Sequence, residues 1–181
     1  MAQQTINLSA SVTKHLEAIA AKMGGGTVSV GYFEGDVYPD GTPVASVAFW
    51  NEFGHGGPFP APARPTFRPM VSKESPTWGP KMGKLAKSTN YDGKLVLSMM
   101  GEDIAGALQD SIVNTPVAPL SPTTLMLRKK FGNNPQDIRA RDVIQAQRDV
   151  AAGKTGATGT QAKPLVWTGT MLRAPGYKVE G

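Results

Sequence analysis

The chain has 181 residues, 40% of them hydrophobic, and a net charge of +5 from 19 basic and 14 acidic side chains. That length suits about one domain with a real core. The absence of cysteine excludes disulfides and thiolate metal sites, and no apolar run approaches the roughly 18–20 residues that span a bilayer. The opening MAQQTINLSASVTK has neither the charged start nor the apolar stretch of a secretion signal, so synthesis in the cytoplasm is expected. With 21 glycines and 15 prolines, much of the chain should be loop and turn.

In chain order, Val12, Leu16, Ile19 and Met23 recur at helical spacing, with Ser9 or Ser11 as N-cap. Gly24, Gly25 and Gly26 end that helix. Residues 27–33 alternate, with Val28, Val30 and Tyr32 on one side, and predict a strand. Pro39-Asp40-Gly41 is turn chemistry. Thr42 and Pro43 then read as the N-cap and first position of a short helix with Val44, Val47, Ala48 and Asn51 on one face. Phe49, Trp50 and Phe53 cannot all share that face, so either they wrap a broad core contact or some of them face a loop or a neighbouring molecule. Residues 56–65 are too proline-rich for a helix or central strand and should be extended.

A helix should start near Phe67, but Ser75-Pro76 predicts a break or kink before Ser88. After Asn90-Tyr91-Asp92-Gly93 comes the strongest amphipathic pattern: Val96, Met100, Ile104, Ala107, Leu108, Ser111 and Ile112. This long helix should pack across the sheet. Ser121-Pro122 caps a short helix carrying Leu125 and Leu127. Residues 132–163 read as an insertion within the single domain. There Asn134-Pro135 opens a helix to about Ala152, with Val143, Ile144, Gln147, Val150 and Ala151 on one side, and 153–161 has linker composition. Thr168 should cap a short helical turn through Arg173. A last strand carrying Tyr177 and Val179 should pair with 27–33. The expected class is α+β: a small antiparallel sheet covered by helices.

Signals for chemistry are sparse. Gly153-Lys154-Thr155 ends like a phosphate loop, but Arg148 stands where the first glycine is required. There is no G-x-S-x-G elbow, and His15 and His55 lack ligand-spaced partners. No catalytic residue, metal or cofactor is expected. Arg128, Lys129 and Lys130 form the densest basic run, with Arg139, Arg141 and Arg148 after it. They could contact phosphates, although Asp137, Asp142 and Asp149 interleave with them.

Two stretches are more specific. The first is VASVAFWNEFG followed by PAPARPTFRP, with Ala48, Glu52, Phe53 and Gly54, then Pro62, Ala63, Arg64, Pro65, Phe67, Arg68 and Pro69. The second is KPLVWTGTML, with Lys163, Pro164, Leu165, Thr168, Gly169 and Leu172. Together they resemble the neck and tail-completion proteins of long-tailed bacteriophages. Trp167 departs from that pattern, which usually has an acidic or polar residue there, and Gly101 interrupts the long helix.

The resemblance implies a structural virion protein rather than an enzyme. It would be a homo-oligomeric ring, with a hexamer favoured, at the head–tail interface of the virion, contacting connector or adaptor proteins and the tail tube protein. Phe59 and the rest of 59–65, with 132–161, would supply the contacts. The resemblance also implies an Arg64–Glu52 ion pair. A head-completion adaptor is the nearest alternative. A small basic nucleic-acid-binding protein using Arg128–Arg148 is another, and non-specific contact with packaged DNA fits either setting.

Overall fold

In the computed structural model, which describes residues 10–57, 60–132 and 134–181, helices α1 (Ala10–Met23), α2 (Val44–Phe53), α3 (Phe67–Ser88) and α4 (Gly93–Asn114) precede α5 (Pro122–Phe131), α6 (Ala140–Ala151) and α7 (Thr170–Arg173). Strands β1 (Thr27–Gly31) and β2 (Gly176–Glu180) form one antiparallel pair, with Thr27 opposite Glu180 and Gly31 opposite Gly176. The expected α+β class and the pairing of first strand with last are both observed. Val28 and Val30 sit opposite Val179 and Tyr177, so one face of the ribbon is apolar and lies on α4.

The α4 stripe builds the core as its spacing predicts. Val96, Met100, Leu108 and Ile112 are buried, and Leu108 and Ile112 cluster with Val44 of α2, Met70 of α3 and Met171 of α7. Asp92 caps α4 by accepting from the Leu95 N–H at 3.0 Å. Gly101 is no interruption. A Cβ there would lie 2.5 Å from the Tyr177 ring, so the missing side chain is what lets β2 seat on the helix.

Several expectations need correction. α3 runs unbroken through Pro76 and Pro80. The carbonyls those prolines leave unbonded belong to Ser72 and Pro76, both exposed, where water can take them while the other face packs on α4. α6 starts at Ala140, not at Pro135, which opens only a 3-10 turn. Asp142 accepts from the Arg139 N–H and fixes the later start. The packed face of α6 is Asp142, Val143, Ala146 and Val150, whereas Ile144, Gln147 and Ala151 are exposed. The N-cap of α2 is Pro43 and that of α7 is Gly169, each one residue later than predicted. β1 ends at Gly31 rather than at Phe33. Ser9, one proposed cap of α1, lies outside the described residues.

Residues 153–161 do not behave as a linker. The Ala157 N–H donates to the Leu125 carbonyl at 2.8 Å, Ala157 is buried, and Gly156 lies directly on the α5 backbone. The segment is a strap over α5.

Candidate interface around the second helix

Glu52, next to the end of α2, is nearly buried, yet its carboxylate is saturated. Oε2 accepts the Thr66 N–H at 2.7 Å and the Phe67 N–H at 3.0 Å; Oε1 accepts the Arg68 N–H and Arg68 Nε, both at 3.0 Å. These backbone donors are the first of α3. Glu52 therefore caps a helix that follows its own, where the helix dipole also favours an anion. Desolvation pushes the carboxyl up, but the N–H groups of Phe67, Thr66 and Arg68 and the Arg68 side chain outweigh it and hold the pKa below the usual carboxylate value.

The expected Arg64–Glu52 pair is thus an Arg68–Glu52 pair. Arg64 precedes Pro65 on the extended segment and reaches the other way, donating from Nε to Ala118 O at 2.9 Å and from Nη2 to Pro119 O at 3.3 Å. Its backbone N–H returns to Asn51 O at 2.6 Å. Between Glu52 and Arg64 the chain doubles back, with paired hydrogen bonds between His55 and Ala61. A Cβ on Gly54 would stand 2.9 Å from Ala63 N, so only glycine allows this return. Phe59 lies outside the described residues.

The two motif stretches meet in space. Asn51 of α2 donates from Nδ2 to Val47 O and approaches the Met171 sulfur at 4.0 Å, bringing α7 against α2. Leu165 packs on the core cluster and takes a positive φ of 67°. Thr168 Oγ1 accepts the Thr170 N–H at 3.3 Å beside Gly169, which adopts φ 72°. Phe67 also packs on the core, under the cap that Glu52 makes.

This convergence leaves aromatic side chains outside. Phe49, Trp50 and Phe53 are 61%, 46% and 55% exposed. Phe53 stacks with Phe49 at 4.8 Å, and the Arg68 guanidinium covers its ring at 4.8 Å. A mostly apolar cleft of about 210 Å³, lined by Phe49, Phe53, Ala48, Tyr32 and Met171, flanks one side of α2. A second cleft of about 460 Å³ flanks the other, with Trp50, Arg64, Arg128, Trp167 and Thr168 in its walls.

The basic run is largely engaged by the protein's own acceptors. Arg128, one of the possible phosphate contacts, is only 5% exposed. Its Nη1 donates to Gln161 O and Lys163 O at 2.9 and 2.7 Å, and its guanidinium lies over the Trp167 ring at 4.9 Å. Trp167, the departure from the resembled pattern, thus carries Arg128 and donates through its indole N–H to Gly132 O. Lys129 reaches Thr155 O, and Lys130 pairs with Asp142 at 2.7 Å. These cations hold the strap and α6 to α5. Among the described residues no cluster of His, Asp or Glu could hold a metal, and no helix is long and apolar enough to cross a membrane.

Compared with family models, curated proteins and solved structures, the chain matches none.

Proposed function

We propose that the chain is a structural ring subunit of a long-tailed bacteriophage, placed at the head–tail junction to join connector to tail tube or to terminate the tail. The observation that carries this reading is the α2 surface. The motif stretches on which the resemblance rests converge there, and they leave three aromatic side chains exposed between two clefts. Exposed aromatics grouped beside a rigid, capped turn are what a subunit interface uses as anchors. A ring built head to tail also needs two different adhesive surfaces on each subunit.

The nucleic-acid reading is weaker, because Arg128 is buried and Lys129 and Lys130 each have a protein partner. An early stop codon in the gene, followed by electron microscopy of the lysate, tests the proposal. DNA-filled heads beside unattached tails are expected, overlong tails would specify a terminator, and normal infectious virions would overturn it. An adaptor bound directly to the connector would instead leave heads that lose their DNA.

A further inference from the structure

Arg64 and Arg128 line the same 460 Å³ cleft. Neither enters an ion pair among the described residues, and their side-chain acceptors are backbone carbonyls alone. Arg128 Nε is buried and has no acceptor among the described residues. Burial, and then the neighbouring charge of Arg64, push Arg128 down to about 10, so it stays protonated at neutral pH beside a like charge. Asp40, the one carboxylate among the described residues of the cleft wall, accepts from the Thr42 N–H of its own turn at 3.0 Å. Two desolvated guanidiniums without a counterion are costly in a folded chain, and an incoming carboxylate would offset that cost. The Trp50 and Trp167 walls suit a protein side chain entering between aromatics, whereas a nucleic-acid groove needs a row of accessible cations.

The same molecule carries the matching deficit elsewhere. A groove of about 690 Å³ between α3 and α4 is lined by Glu74, Asp103, Glu102 and Asp110. Lys73 pairs with Glu74 and Lys81 with Asp103. Glu102 and Asp110 are exposed and enter no ion pair among the described residues.

We infer that the Arg64–Arg128 cleft receives carboxylates from a second copy of this chain, presented by Glu102 and Asp110 on its α4. This rests on the ring reading and deepens it by assigning two complementary surfaces to the head-to-tail contact. Charge complementarity of this kind sets register and rejects wrong partners.

Sedimentation velocity over a concentration series tests it with Arg64→Glu and with the double variant Glu102→Lys/Asp110→Lys. The double variant alters only exposed α4 positions and keeps the fold, as circular dichroism will show. Wild type should self-associate, and each variant should do so at least about tenfold more weakly. An equimolar mixture of the two should recover association, because alternating subunits restore opposite charges at every contact. Self-association that the double variant leaves unchanged, or weakened variants that do not recover on mixing, would overturn the inference while leaving the ring reading intact. A wild type that stays monomeric throughout would also overturn it, and the stop-codon phenotype would then decide the ring reading alone. A synthetic acidic peptide from another virion protein that competes with self-association would place a different carboxylate donor in the cleft and overturn the choice of a second copy.

Discussion

Glu52 concentrates several functions in one side chain. It sits in the last turn of one helix, caps the next and orients Arg68 over Phe53. Its folded pKa lies below its unfolded value, which is ordinarily about 4.3. The stability it contributes is therefore complete above the unfolded value and is lost as pH falls through the folded one. Glu52→Gln keeps the shape but removes the charge that three backbone donors and a guanidinium address. Chemical denaturation at pH 7 should show a loss of about 2 kcal/mol, within the range for hydrogen bonds to a charged group. Repeated at successively lower pH, the wild-type curve should converge on the variant. Two parallel pH profiles would show that the carboxylate is not the titrating cap. The importance of Glu52 was legible in the sequence, since E-F-G ahead of A-R-P-x-F-R-P marks it. Its partner was not, because the same motif offers two arginines, Arg64 and Arg68, and the nearer in sequence is not the one that pairs. Only the first turn of α3 decides between them.

At the scale of elements, the period of α4 made its buried face readable, because eight residues of that one helix are buried. α3 and α6 were harder for opposite reasons. Local proline chemistry argued for a break in α3, and packing on α4 overrode it. In α6 the Asn134-Pro135 signal competed with an equally local one at Arg139 and Asp142, which won. Glycines inside helices show how far contacts outweigh propensity. Gly101 and Gly106 both lie in α4, but an added Cβ at Gly101 meets Tyr177 at 2.5 Å and at Gly106 meets nothing within 4 Å. Gly101→Ala should cost about 1–3 kcal/mol by overpacking, whereas Gly106→Ala should add about 0.5–1 kcal/mol through helix propensity. Thermal melts of the two variants should move in opposite directions. A shared direction would mean that β2 does not rest on α4 as described. The strap over α5 behaves alike, since a Cβ on Gly156 would lie 2.5 Å from the Leu125 backbone. Gly156→Ala should lift residues 153–161 off α5 and open them to limited proteolysis, while wild type resists.

At the scale of the whole molecule, the chain brings its first and last strands together in one sheet and its two motif stretches onto one surface. That second convergence could not be read from periodicity. Asn51 and Met171 stand 120 positions apart, and no local pattern shows that they touch. The surface they build explains the aromatic excess of α2, whose side chains exceed what one helical face can bury. Phe49 is 61% exposed, touches Phe53 and lines the apolar cleft. A residue held there for the fold and one held there for assembly respond differently to truncation. Phe49→Ser should change the stability of the isolated chain by no more than about 0.5 kcal/mol, as for most exposed positions. If Phe49 anchors a subunit contact, the same change should weaken assembly by about 2 kcal/mol or more, the scale of an interface hot spot. Virions from a genome carrying Phe49→Ser should then show a large fall in infectious titre and an excess of unjoined heads and tails, with the purified variant melting like wild type. An unchanged titre would remove α2 from the contact and shift the search to the arginine cleft and the acidic face of α4.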